Sequence, residues 1–150
     1  MIPRGSEAIR HLATRVAQDL IPKAGDAYTA TDLGYVTALM GLIAQDYDRA
    51  ADVLISEHAA LQSILRDGAR HLDDVDLKTR IAEGLATEAP SLRVSDLTAR
   101  SDLTLKLLID LQAAVEEAEA GGADWARTVN GEIWRFLEAH VTAHAYEAAL

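Results

Sequence analysis

The sequence predicts an all-α protein, an antiparallel up-and-down bundle of four main helices plus one short helix. Three observations lead to that class. Alanine occurs 28 times and leucine 20 times, and both are strong helix formers. Aromatic residues make up only 5% of the chain, with a single Phe, whereas strands are rich in aromatic and β-branched residues. Apolar positions recur at spacings of three and four along most of the sequence, which is the period of one helix face.

At 150 residues the chain can bury one continuous core without metal or disulfide staples, so 1–150 reads as a single domain. Residues 1–5 stand apart from it, as a disordered start or the remnant of a protease-cleavage linker resembling MIPRGS.

The first helix runs from Ser6, a natural N-cap, to about Lys23, with Ile9, Leu12, Val16 and Leu20 on one face and Pro22 near its end. The stretch AGDAYTATD collects turn formers, and Thr29 or Thr31 can cap the second helix. Helix two carries Val36, Leu39, Ile43, Tyr47, Leu54, His58, Leu61, Leu65 and Leu72 on one seam from about 31 to 71. Unbroken it would measure roughly 60 Å at ~1.5 Å per residue, so a bend or break is expected near Gly68.

A shorter helix from about Asp74 to Glu88 has Leu77, Ile81 and Leu85 on its stripe, and Pro90 lies just beyond it. Residues 89–101 read as an irregular connection, with room for one helical turn at SDLTA. After Ser101 as a cap, Leu103, Leu107, Leu108, Leu111 and Val115 mark the fourth main segment, closed by Gly121-Gly122. The last helix starts near Asp124 and carries Trp125, Val129, Ile133, Trp134, Leu137, Val141, His144 and Ala148 on its seam.

Composition narrows the function. The net charge of −10 is spread over both halves with no Lys/Arg cluster, which argues against a nucleic-acid partner. The absence of cysteine removes disulfides, thiolate metal sites and cysteine nucleophiles, and fits the cytoplasm. The longest apolar run, LGYVTALMGLIA at 33–44, is well short of the ~20 residues a membrane span needs. No Gly-rich phosphate loop or Gly-x-Ser-x-Gly elbow occurs.

One stretch carries candidate chemistry. In LEAHVTAHAYEAAL, His140 and His144 are four residues apart, so both imidazoles project from one helix face and can share a metal ion. A centre needs a third donor from another helix. The expected donor is His58 on the helix-two seam, with Glu57 or Glu138 ligating or orienting the imidazoles around Zn or Fe. Carboxylate-bridged di-iron bundles use Glu-x-x-His on two helices, and this chain has none. The His-x-x-x-His pair is similar to one helix of hemerythrin-type bundles, but no companion His-x-x-x-Glu exists here. That resemblance covers one helical turn and implies no function. Without a metal, His144 would be a hydrogen-bonded layer residue and His140 would lie on the flank.

Other residues suggest surfaces. Asp46 and Tyr47 could line a pocket between helices. Glu116, Glu117 and Glu119 form an acidic run that could dock a basic partner. Trp125 and Trp134 are scarce aromatics suited to anchoring contacts, and Phe136, off the expected seam, suggests a second buried surface. A long overhanging helix two would leave apolar area for a second copy to cover. The expected function is therefore a non-enzymatic interaction or scaffolding domain without cofactor, a homodimer in the cytoplasm with itself or another protein as partner. The alternative is a bundle that holds a metal ion or small apolar ligand between helix two and the last helix.

Overall fold

The computed structural model describes residues 4–147, and these are all-α: α1 Gly5–Arg15, α2 Ala27–Ala69, α3 Val75–Ala86, α4 Val94–Ala120 and α5 Asp124–Ala143. Their contacts gather into two compact units where the sequence suggests one domain. One holds the described residues up to Ala50 with Tyr146 and Glu147, the other Ala51–Ala145. Among the described residues, no helix is long and apolar enough to cross a membrane.

In the first unit the chain enters α1 from Arg4 in an extended conformation. Ser6 is therefore not the cap. It lies inside the first turn and is buried. Beyond Arg15 the helix loosens into a π-helical turn, Val16–Leu20, then tightens into a 3₁₀ turn, Ile21–Lys23. Pro22 lacks the N–H that a regular helix needs, which accounts for the change of winding near it.

The cap of α2 is Asp26 rather than Thr29 or Thr31. Its carboxylate accepts from the Thr29 backbone N–H at 2.9 Å and from the Thr29 hydroxyl at 2.7 Å. The backbone bond above all holds the Asp26 carboxyl below the usual range. Thr31 instead donates its hydroxyl to the Ala27 carbonyl inside the helix. The helix then runs 43 residues without interruption and ends at Ala69, next to Gly68 where a bend or break is expected.

Gly68 serves close packing. Leu111 of α4, itself fully buried, lies where a side chain on Gly68 would stand, and the helix ends one residue later. Only the C-terminal part of the predicted seam is buried. Leu61 and Leu65 are fully enclosed, whereas Val36, Leu39, Ile43 and Tyr47 are exposed, Leu39 to 57% and Ile43 to 54%. Among the described residues, the first unit sets beside this stretch of helix α1, the turns that follow it, and Tyr146 and Glu147, and these leave the stripe exposed.

The second unit has a continuous core. Leu61, Ile64 and Leu65 of α2 join Leu77 and Ile81 of α3, Leu107, Leu108, Leu111 and Val115 of α4, and Val129, Ile133 and Phe136 of α5. Asp74 caps α3 by accepting from the Leu77 N–H at 3.0 Å.

The irregular connection is shorter than the sequence suggests, because α4 starts at Val94 rather than after Ser101. Ser91 organises the entry: its hydroxyl accepts from the Arg93 N–H and donates to Asp96. Ser101 is buried within the helix, where its carbonyl accepts from the Thr104 hydroxyl at 3.0 Å. Gly121 and Gly122 end α4 as expected, with Gly122 at φ +86°, a conformation that favours glycine.

The seam of α5 is shifted by about one position from the predicted one. Its buried residues are Ala126, Val129, Ile133 and Phe136, while Trp134 is 55% exposed and Val141 is also exposed. The spacing of three, four and three defines a single helix face, and Trp134 stands beside it. Ala148, placed on that seam by the sequence, lies outside the described residues.

The glycines of α2 give a direct test. Gly41 has open space around its missing side chain, so Gly41→Ala should raise stability by about 0.5–1 kcal/mol, the usual difference between the two residues within a helix. Gly68→Ala should lower it by about 1–3 kcal/mol, because the new methyl must displace enclosed Leu111. Opposite shifts in a denaturant midpoint check both.

Candidate metal centre

Three side chains of the second unit converge between α2 and the end of α5. Glu57 stands one turn before Leu61 on the buried face of α2 and is itself only 8% exposed. His140 continues the α5 stripe of Ile133 and Phe136, at a further spacing of four, and His144 is the C-cap residue one turn on. Glu57 Oε1 lies 2.7 Å from His140 Nδ1 and 3.1 Å from His144 Nε2. The imidazole centroids are 4.4 Å apart with their planes at 51°. All three donor atoms fall within 4.8 Å of one another.

The arrangement arises from local sequence. An i, i+4 pair on one helix presents two rings to the same point, and the buried Phe136 ring, 6.0 Å from that of His140, packs alongside. Burying a carboxylate is unfavourable unless it is paired. Glu57 meets that demand by accepting from imidazole N–H groups, which requires the proton on Nδ1 of His140 and on Nε2 of His144. A divalent cation could replace both protons and bind the same three atoms.

Two expected donors are absent from the cluster. His58 is buried, but neither ring nitrogen has a hydrogen-bond partner among the described residues, and it is not part of the converging group. Burial first, then the Arg100 and Arg66 charges, push its pKa below the ordinary histidine value. Successive residues on a helix differ by about 100° in direction, so Glu57 and His58 cannot both face the imidazoles. Glu138 is exposed and contributes only its carbonyl, to the Thr142 hydroxyl.

No protein-family model matches the chain, and no curated protein or solved structure matches it significantly. The site is therefore read from its own geometry.

The other candidates disperse. Tyr47 is exposed, and Asp46 pairs instead with Tyr146, whose hydroxyl donates to it at 2.8 Å. That bond above all keeps the Tyr146 hydroxyl above its ordinary range, and the Arg49 guanidinium sits over the same ring. Trp125, Trp134 and Phe136 share no exposed face: Phe136 is 6% exposed, Trp125 is half-buried with its ring stacked 5.0 Å from His71, and Trp134 faces solvent. Glu119 turns toward α5, accepting from Asn130 Nδ2 at 2.7 Å, while Glu116 accepts from Gln112 and Glu117 stays exposed. The acidic run is partly spent on intramolecular bonds.

The buried, unpartnered nitrogens of His58 should make it a destabilising residue. His58→Leu keeps similar bulk and removes both polar atoms, so the variant should gain about 1–2 kcal/mol. Urea denaturation at neutral pH measures this, and a loss of stability would mean that His58 has partners in solution.

Proposed function

We propose that this chain is a metal-binding helical domain, with a divalent transition ion held by Glu57, His140 and His144. The observation that carries the reading is the convergence of one buried carboxylate oxygen and two imidazole nitrogens, from two helices, within 4.8 Å. Two imidazoles and a carboxylate suit zinc or ferrous iron. Ligand bonds of about 2.0–2.2 Å place donors roughly 3.3–3.6 Å apart in a tetrahedral shell, so the 2.7 and 3.1 Å separations need to open by less than about 1 Å. Three protein ligands leave a position for water or a small molecule, the pattern of catalytic rather than purely structural centres.

Equilibrium dialysis of the full chain against zinc, with metal quantified by mass spectrometry, should find one ion per chain. His140→Ala/His144→Ala should abolish it, and Glu57→Gln should weaken it by tenfold or more, since a neutral amide is a poor ligand for zinc. Equal uptake by the parent and the double variant would sink the assignment.

A second reading rests on a different observation. Along the first half of α2, Tyr28, Tyr35, Val36, Leu39, Ile43 and Tyr47 are all exposed, and their spacing places them on one broad stripe of the helix. Residues 1–50 carry five basic and six acidic side chains, whereas 51–150 carry nine and eighteen. The near-neutral region is thus the one that bears the apolar stripe. A second copy of the chain can approach it there with little charge repulsion, and a symmetric helix pair would cover both stripes. Light scattering at tens of micromolar should give a dimer, and Leu39→Glu/Ile43→Glu a monomer. A monomeric parent protein would exclude this self-association.

A further inference from the structure

Beside the three donors, a cleft of about 330 Å³ opens between α2 and α5, lined by Val53, Ala60, Phe136, Ala139 and Ala143, with Asp52 and Ser56 as polar lining and Glu57 and His140 as part of its wall. Its space exists because the facing positions are small: Ala60 on one helix, Ala139 and Ala143 on the other. Larger residues would have closed the groove with side chains. Two of the proposed metal ligands are therefore also wall residues of an apolar groove.

We propose, resting on the metal reading above, that this cleft takes the alkyl body of a medium-chain monocarboxylate whose head group binds the ion. Three properties select that class. A divalent ion with one carboxylate and two neutral imidazoles keeps one net positive charge, which a single carboxylate neutralises and an amine would not. Asp52 in the lining disfavours a second negative charge on the ligand. The volume holds roughly ten heavy atoms, taking ~30 Å³ for each as for a water molecule, which excludes long acyl chains in full and gives acetate almost nothing to bury.

The test uses the full chain loaded with cobalt(II), whose visible absorption reports its ligand shell, and compares octanoate with acetate. Octanoate should alter the spectrum and bind about tenfold or more tightly than acetate, a margin that burial of only about two methylenes supplies. Ala139→Phe, which narrows the groove without removing a donor atom, should still take up cobalt and lose that preference. Cobalt uptake with equal affinity for octanoate and acetate would overturn the ligand assignment and leave the metal site standing. Failure to take up cobalt would overturn both. If Ala139→Phe takes up no cobalt, Ala60→Val, on the opposite wall, supplies the same comparison.

Discussion

Everything in the second unit depends on one apolar layer in which Leu61 and Leu65 of α2, Leu111 and Val115 of α4 and Ile133 of α5 lose all contact with water. Hydrophobic burial has no direction of its own, but on helices of fixed pitch it has directional consequences. With Leu61 locked inward, Glu57 one turn earlier must also face inward. With Ile133 and Phe136 locked inward, His140 must lie on the same stripe. The polar cluster is thus placed by the core, and its precision is inherited from the enclosed leucines. Gly68 takes part in this, since it lets α2 lie close against Leu111.

The cluster in turn carries an electrostatic tension that the core does not relieve. A carboxylate with little solvent contact must find positive charge or N–H donors, and Glu57 finds two imidazoles directed at one oxygen. Their half-open position, with His140 one-third exposed and His144 about half, gives an ion a route in. His58 marks the contrast. It is buried on the same helix, its ring nitrogens have no hydrogen-bond partner among the described residues, and its environment favours the neutral form.

The all-α class was legible because alanine, leucine and the three-and-four spacing act locally, and local helix preference agrees here with tertiary burial. The start of α3 near Asp74 and the Gly121-Gly122 stop were legible for the same reason. Ser101 misled because a serine before an apolar run has the appearance of a cap, while a buried serine inside a helix is distinguished only by what packs on it. On α5, Trp134 and Phe136 offered two competing seams two residues apart, and the choice of the tryptophan put His140 on the flank. The i, i+4 histidine pair was readable, and Glu57 was one of two carboxylates named beside it, but the third donor was expected at the adjacent His58. Glu57 and His58 are adjacent and both buried, and only the packing of Leu61 decides which of them meets α5. For the exposed half of α2 the readable signal was the length of the helix, since periodicity marks an apolar face without revealing whether anything covers it.

An anomalous-difference map from crystals of the protein grown with one equivalent of zinc tests the metal centre most directly. A single strong peak is expected, bonded to Glu57 Oε1, His140 Nδ1 and His144 Nε2 at about 2.0–2.2 Å. A map without a peak there, or with zinc only on surface carboxylates, would mean that Glu57 and the two histidines form a hydrogen-bonded cluster and nothing more.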